Sequence, residues 1–306
     1  MNAMKRMKGM REKDLTKGSI FKTLFILATP IILAMSLHTA FNIIDTFFIG
    51  MLGSEHLAAI SVTFPVVFIF IAIASGLAIG STALVSQAIG ARKKKEANKI
   101  AAHSITIALL SGLIVAVAGF LFSPALFSFM GVTGNILAMT IEYANLIFIG
   151  FIFLFIGFIA QGIIQADGDT VTPMINMVIS IVANIILDPI LIFGFGPIPA
   201  MGLTGAALAT VIGRSIGAFL NIYHLFAGKT SLHMGIESFR LDPSIFKKIF
   251  IIGLPSSISN SINSVGMIFI MSLIGGFGTS AIAAFGVGLR LDSVAILPII
   301  GLSHAV

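Results

Sequence analysis

The chain has 306 residues, of which 57% are hydrophobic and only 10% charged, with mean hydropathy +1.09. Soluble domains carry about 25% charged residues, so this composition excludes an ordinary water-soluble fold and places the chain in a bilayer. The net charge of +6 with pI near 9.7 would suit a nucleic-acid partner, but where the basic residues fall excludes one, and the absence of cysteine excludes disulfides and thiolate metal sites.

The predicted elements, in chain order, are a tail and eight spans. Residues 1–21, beginning MNAMKRMKGMREKD, are basic and lack a small-residue cleavage site after the first apolar run. They read as a cytoplasmic tail ahead of an uncleaved first span. Apolar runs of about 20 residues cross the hydrocarbon core. Such runs occupy roughly 22–52, 57–87, 99–122, 136–165, 172–195, 203–227, 245–275 and 280–306. Ten-residue alternating segments, the mark of a membrane barrel, do not occur. Ser19 and Ser244 are placed to cap the first and seventh spans. The connections are short and rich in glycine, except for 228–244, which divides the chain into two parts.

Basic residues orient the spans. They fill the amino-terminal tail, Arg92–Lys95 between spans two and three, and Lys229, Arg240, Lys247 and Lys248 around the 228–244 linker. The loops after spans one, three and five contain no Lys or Arg. That alternation is the positive-inside pattern and puts the amino terminus in the cytoplasm.

An internal repeat links the two parts. An offset of 225 residues aligns SIFKTLFILATP (19–30) with SIFKKIFIIGLP (244–255) without a gap, and pairs Gly50 with Gly275 and Gly76 with Gly301. Six spans separate the copies, so the repeats run parallel, related by an axis along the membrane normal. The expected architecture is an all-α polytopic membrane protein. It has an amino-terminal six-helix lobe (22–227) and, at 245–306, the first two helices of a second lobe. A complete second lobe would give about twelve helices, so the sequence reads as a fragment.

Two carboxylates stand inside the apolar spans. Asp45 interrupts the first and Asp188 the fifth. A carboxylate at the centre of a membrane helix costs about 2.5–3.5 kcal/mol on insertion scales, so such residues face a cavity, a partner or an ion pathway. His38, Asn42 and Asp45 share one helical face, downstream of Pro30, where a bend is expected. Asn176, Ser180, Asn184 and Asp188 recur every four residues as a polar stripe, which either lines a pathway or glues helices. At 1.5 Å per residue Asp188 lies about 22 Å from Pro173 and Asp45 about 31 Å from Leu24, at compatible depths. Two buried carboxylates in proximity titrate as a coupled unit. With the Asn184 amide they would equally hold Na⁺, and the sequence does not separate H⁺ from Na⁺.

Weaker candidates are Glu142-Tyr143, where the tyrosine also fits an interfacial anchor, and the Gln161/Gln165 pair. Arg290 and Asp292 lie in span eight without an assigned role, and Arg214 is the other embedded cation. Gly228-Lys229-Thr230 has Tyr223 where a phosphate-binding loop needs its first glycine, so no ATP site is expected. Asp167-Gly168-Asp169 lacks the other ligands of a calcium loop. No catalytic arrangement, cofactor or enzyme activity is expected.

Several segments together resemble the multidrug and toxic compound extrusion (MATE) family. They are Pro30 to Asp45 with IGMLGSEHLAAIS, LVSQAIGARKKKEANK, QADGDTVTP (165–173), NIILDPILIFGFG (184–196) and MGLTGAALAT (201–210). The resemblance implies two six-helix lobes in the cell membrane and, as activity, exchange of small organic drugs, often cationic, for H⁺ or Na⁺. It implies that Asp45, Asp188 and Asn184 bind the coupling cation and that Tyr143 and Thr210 belong to the same polar network. Asn42, Ser180 and Gln161 are further candidates, and Pro30 matches a proline at which the first helix bends. The expected partners are drug-like molecules and membrane lipid, with no nucleic acid, and the expected state is a monomer. Some members of the family carry a carboxylate on the seventh helix; here 255–275 offers only serines and asparagines in its place. The competing reading is a lipid-linked oligosaccharide flippase of related architecture, which would need cations in its cavity.

Overall fold

The structure is a computed structural model that describes residues 33, 36, 37, 39, 41–228, 230–240, 242–278 and 280–289. Pro30, His38, Arg290, Asp292, Ser19 and most of the amino-terminal tail's continuation into the first span lie outside the described residues. Eight α-helices follow one another along the described chain. They are α1 (Phe41–Gly50), α2 (Ser54–Gly90), α3 (Lys94–Phe129), α4 (Gly134–Ala166), α5 (Val171–Phe193), α6 (Gly202–Phe226), α7 (Pro243–Gly275) and α8 (Ser280–Leu289). A single 3-10 turn, Ile236–Phe239, interrupts the α6–α7 linker. The protein is an all-α polytopic membrane protein, and α2 to α7 are each long and apolar enough to span a bilayer.

The helices exceed the sequence-based spans at several ends, most of all α3, which starts at Lys94 and ends at Phe129 rather than covering 99–122. Hydrophobicity locates only the lipid-covered part. The helix itself continues through Lys94, Lys95 and Glu96 because its backbone bonds persist into the polar interface. The cap of α7 also differs from expectation. Asp242, not Ser244, is the N-cap: its carboxylate accepts the Ser244 N–H at 3.0 Å and the Ser244 hydroxyl at 2.7 Å, with Pro243 at the first helical position. Proline there gives up a donor that would have no partner anyway, and the helix starts at Pro243, two residues before the expected 245.

Alternate connections lie at the same end of the bundle. At the basic end, Asp167 between α4 and α5 accepts the backbone N–H of Ser231 in the linker at 2.8 Å, and Asn98 of α3 accepts that of His233 at 3.0 Å. At the other end Asn135 donates to Glu55 at 3.4 Å and Thr204 donates to Glu142 at 2.6 Å. This is the alternation that the Lys and Arg distribution requires.

The core is built on α4, whose Ile147, Phe148, Phe151, Phe155, Ile159 and Ile163 are buried between α2, α3 and α6. Where a small residue is needed, the packing shows why. A Cβ on Gly253 of α7 would lie 2.7 Å from the Gly76 carbonyl oxygen of α2, and one on Gly80 would lie 2.6 Å from the Ile249 carbonyl oxygen. The two helices thus cross backbone against backbone, the close approach that small residues permit in membranes. Ser257 reinforces the crossing through its hydroxyl, which donates to the Ile73 carbonyl of α2 at 3.3 Å as well as to the Gly253 carbonyl of its own helix at 3.0 Å.

Candidate functional site

Asp45 sits in the middle of a buried stripe on α1. Phe41, Asp45 and Ile49 recur every four residues and turn into the bundle, while Ile43 and Phe47 stay exposed. On α5 the opposite faces separate in the same way. Asn176, Asn184 and Asp188 are buried, whereas Ile175, Ile179, Val182 and Ile186 face outward. Asp188 is fully buried, at 0% exposure. Pro189 follows it within the helix and withdraws the donor that would have bonded the Ile185 carbonyl.

The polar stripe of α5 divides into two functions along its length. Its lower half is glue. The Asn176 amide donates to the Asn221 side chain of α6 at 2.8 Å, and the Ser180 hydroxyl donates to the Gly213 carbonyl at 2.5 Å. Gly213 and Gly217 make that contact possible, since a Cβ on Gly213 would lie 3.0 Å from the Asn184 Cβ and one on Gly217 3.3 Å from the Ser180 Cβ. The upper half is different. Both side-chain polar atoms of Asn184 and both carboxylate oxygens of Asp188 are buried without a hydrogen-bond partner among the described residues. A buried polar atom left unmatched costs about 1–3 kcal/mol, more when charged. Four such atoms one helical turn apart set this half of the stripe apart from the glued half, where Asn176 and Ser180 are both matched.

Other elements complete the arrangement. Asp45 is near enough to Asp188 for its charge to act on that carboxylate. Arg214 of α6 is within electrostatic reach of Tyr143 on α4 and of Asp45. Tyr143 is 9% exposed and Thr210 5% exposed, so the tyrosine is a buried residue and not an interfacial anchor. Asn42 is partly buried on α1 and its carbonyl accepts the Thr46 hydroxyl at 2.6 Å. The structure therefore gathers Asp45, Tyr143, Asn184, Asp188 and Thr210 in the interior of the six-helix lobe and adds Arg214.

Gln161 is not brought there. It lies 18 residues beyond Tyr143 on α4 (161 − 143), about 27 Å along the axis, toward the basic end. Asp167 and Asp169, discounted as calcium ligands, have structural partners. Asp169 caps α5 by accepting the Thr172 N–H at 2.9 Å and the Thr172 hydroxyl at 2.6 Å, and it meets His224 of α6 at 3.6 Å. Sequence reasoning missed this buried Asp169–His224 pair, because residues 55 positions apart (224 − 169) carry no shared pattern. It also missed His103 of α3, whose Nε2 accepts the backbone N–H of Asp242 at the end of the linker. Among the described residues no three His, Asp or Glu side chains converge as a metal centre.

Comparison with known proteins gives a consistent picture. The MatE family model matches residues 30–190. The FAD transporter of Shewanella oneidensis is 32% identical over 95% of this chain and 64% of its own length. The probable multidrug resistance protein YoeA of Bacillus subtilis is 28% identical with the same coverage. A solved MOP superfamily transporter from Pyrococcus furiosus, described as having a binding pocket of reverse polarity, superposes with TM-score 0.85. It shares 32% identity over 95% of this chain and 64% of that one. The chain spans about 64% of the length of the curated relatives it matches.

Proposed function

The chain belongs to the MatE family, and from that premise we propose that it acts in secondary-active export of small organic molecules, exchanging them for H⁺ or Na⁺. The carrying observation is the fully buried Asp188 carboxylate, unmatched by any donor among the described residues and facing the charge of Asp45. Two carboxylates in a water-poor interior repel each other, and each lacks the hydration it had in water. A proton or a sodium ion removes both penalties, and a basic nitrogen on a substrate does the same. Ion and substrate then compete for one site, which is the condition for exchange. The Asn184 amide, buried and unmatched one turn away, supplies an oxygen for a cation or a hydrogen for a carboxylate.

Transport follows if the two arrangements of the lobes differ in their affinity for the ion, since a ligand shifts an equilibrium only by its differential binding. Pro30, outside the described residues, is the proposed place at which occupancy of Asp45 is converted into bending of the first helix. The relatives' names cover a dinucleotide and drugs alike, so the substrate is proposed here only as a small organic molecule. The test is dye efflux from vesicles under an imposed pH or sodium gradient. Asp45→Asn and Asp188→Asn should each abolish the response to the gradient. Wild-type rates in either variant under both gradients would sink the coupling role.

A further inference from the structure

Among the described residues, Arg214 is an embedded cation that the exchange reading leaves unused. It lies on α6, 12 residues from the start of that helix (214 − 202). At 100° per residue its Cβ direction falls between two contact stripes of the helix. Thr210 and Gly217 flank it at about 40° and 60° on one side, and Val211 and Ala218 at about 60° and 40° on the other. The first stripe packs on α5, where Gly217 meets Ser180; the second packs on α4, where Val211 meets Gly150 and Ala218 meets Gly157. Arg214 therefore enters the wedge between α4 and α5, toward Tyr143 and the carboxylate of Asp45, both within its electrostatic reach. Among the described residues its buried Nη1 has no hydrogen-bond partner and its guanidinium forms no salt bridge.

The interior thus presents unmatched groups of both signs on adjacent helices: a guanidinium nitrogen on α6 and two carboxylate oxygens on α5. An arginine that only neutralised the aspartates would close its planar fork on one of them, the geometry that gives charge-assisted pairs their strength. It does not. A purely cationic substrate would satisfy Asp188 and leave Nη1 stranded beside another positive charge. A purely anionic substrate would satisfy Arg214, but it would bind best when the coupling ion has already neutralised the carboxylates. Ion and anion would then favour each other's binding, and linkage would make them travel together instead of exchanging. A molecule with one group of each sign resolves both difficulties. Its acidic group takes the guanidinium, and its basic nitrogen still competes with the ion at the carboxylates.

We propose that Arg214 is the receptor for an acidic group on the transported molecule, so that this lobe selects amphoteric organic substrates carrying a carboxylate or phosphate together with a basic nitrogen. The proposal rests on the exchange reading above and adds the substrate class and the residue that sets it.

The test uses two dyes that differ only in the acid. Rhodamine 110 is the free carboxylic acid and rhodamine 123 its methyl ester. Binding of each to the full chain in lipid nanodiscs is read by fluorescence polarisation, with no ion gradient imposed. The acid should bind wild type at least about tenfold more tightly than the ester, the size of one charge-assisted hydrogen bond. Arg214→Met should erase that preference by weakening the acid alone, and Arg214→Lys should retain part of it. Ester binding equal to or tighter than acid binding in wild type overturns the proposal while leaving the exporter reading intact. So does an Arg214→Met variant that weakens both dyes alike, the signature of a counter-ion. If the Met variant binds neither dye, the wild-type and Lys preferences decide. Failure of wild type to bind either dye overturns this proposal and the exporter reading together.

Discussion

The imidazole of His103 joins α3 to the residue that caps α7. Its Nε2 accepts the backbone N–H of Asp242 at 2.8 Å, while Nδ1 lies 2.7 Å from the Lys99 carbonyl oxygen. Since a carbonyl only accepts, Nδ1 carries the proton and Nε2 is left free to accept, which assigns the neutral Nδ1–H tautomer from the contacts. The ring is 1% exposed and stands edge-on to Phe246 with centroids 5.3 Å apart. The linker is thereby held to the lobe at the point where the second lobe begins. His103→Ala should destabilise the protein by about 1–3 kcal/mol, because it strands the Asp242 N–H and opens a cavity. It should also quicken proteolysis at 230–240. Unchanged melting and unchanged cleavage would contradict this role.

Asp242 itself gives a pH dependence. The side-chain and backbone hydrogen bonds from Ser244 hold its carboxyl below the ordinary value of 3.8. A carboxyl lowered in the folded state adds stability above the unfolded value and loses it as pH falls through the folded one. The start of α7 should therefore stay capped throughout neutral and mildly acidic solution and fray only below pH 3.8. Amide exchange at Ser244 and Ile245 reads this directly. Asp242→Asn, which still caps, should remove the acid-dependent step; an identical step in that variant would show that another group causes it.

Two buried aspartates of the α5 region should respond oppositely to loss of charge. Asp169 caps the helix through three hydrogen bonds and meets His224. Asp169→Ala should cost about 1–2 kcal/mol, the size of a lost N-cap. Asp188 is buried with both oxygens unmatched among the described residues, so Asp188→Asn should leave thermal stability unchanged or raise it, because an uncompensated charge is removed. Thermal unfolding in one detergent compares them. A large loss for Asp188→Asn would show that its charge is a structural need and not a binding one.

Glycines on α7 offer a matched pair. A Cβ on Gly253 would stand 2.7 Å from the Gly76 carbonyl oxygen, whereas one on Gly266 meets nothing within 4 Å. Gly253→Ala should force α2 and α7 apart and cost about 1–3 kcal/mol. Gly266→Ala should be neutral or stabilise by up to about 1 kcal/mol through helix propensity. Equal effects of the two substitutions would mean that the α2–α7 crossing is not packed as described.

The contrast within the α5 stripe shows how far a linear pattern reaches. The four-residue spacing of Asn176, Ser180, Asn184 and Asp188 already placed these residues on one face and required that face to meet protein or an ion. It did not say which residues would do which. Asn176 and Ser180 find partners in Asn221 and the Gly213 carbonyl, and Asn184 and Asp188 find none among the described residues. That difference depends on which α6 residues stand opposite, a relation between segments more than 30 positions apart.

The sequence by itself determined the membrane class, the helices and their alternation, the six-helix first lobe, and the two carboxylates whose burial demands a function. These follow from apolar length, charge placement and helical periodicity, which act locally along the chain. Only the tertiary structure decided that Asp45 and Asp188 act on each other, that Tyr143 is inside, and that Gln161 is remote. It alone placed Arg214 between two contact stripes with a nitrogen unmatched. The physical reason is that a hydrogen bond or a charge interaction depends on separation in space. Helix packing sets that separation through small residues such as Gly213, Gly217 and Gly253, whose effect is felt on the neighbouring helix.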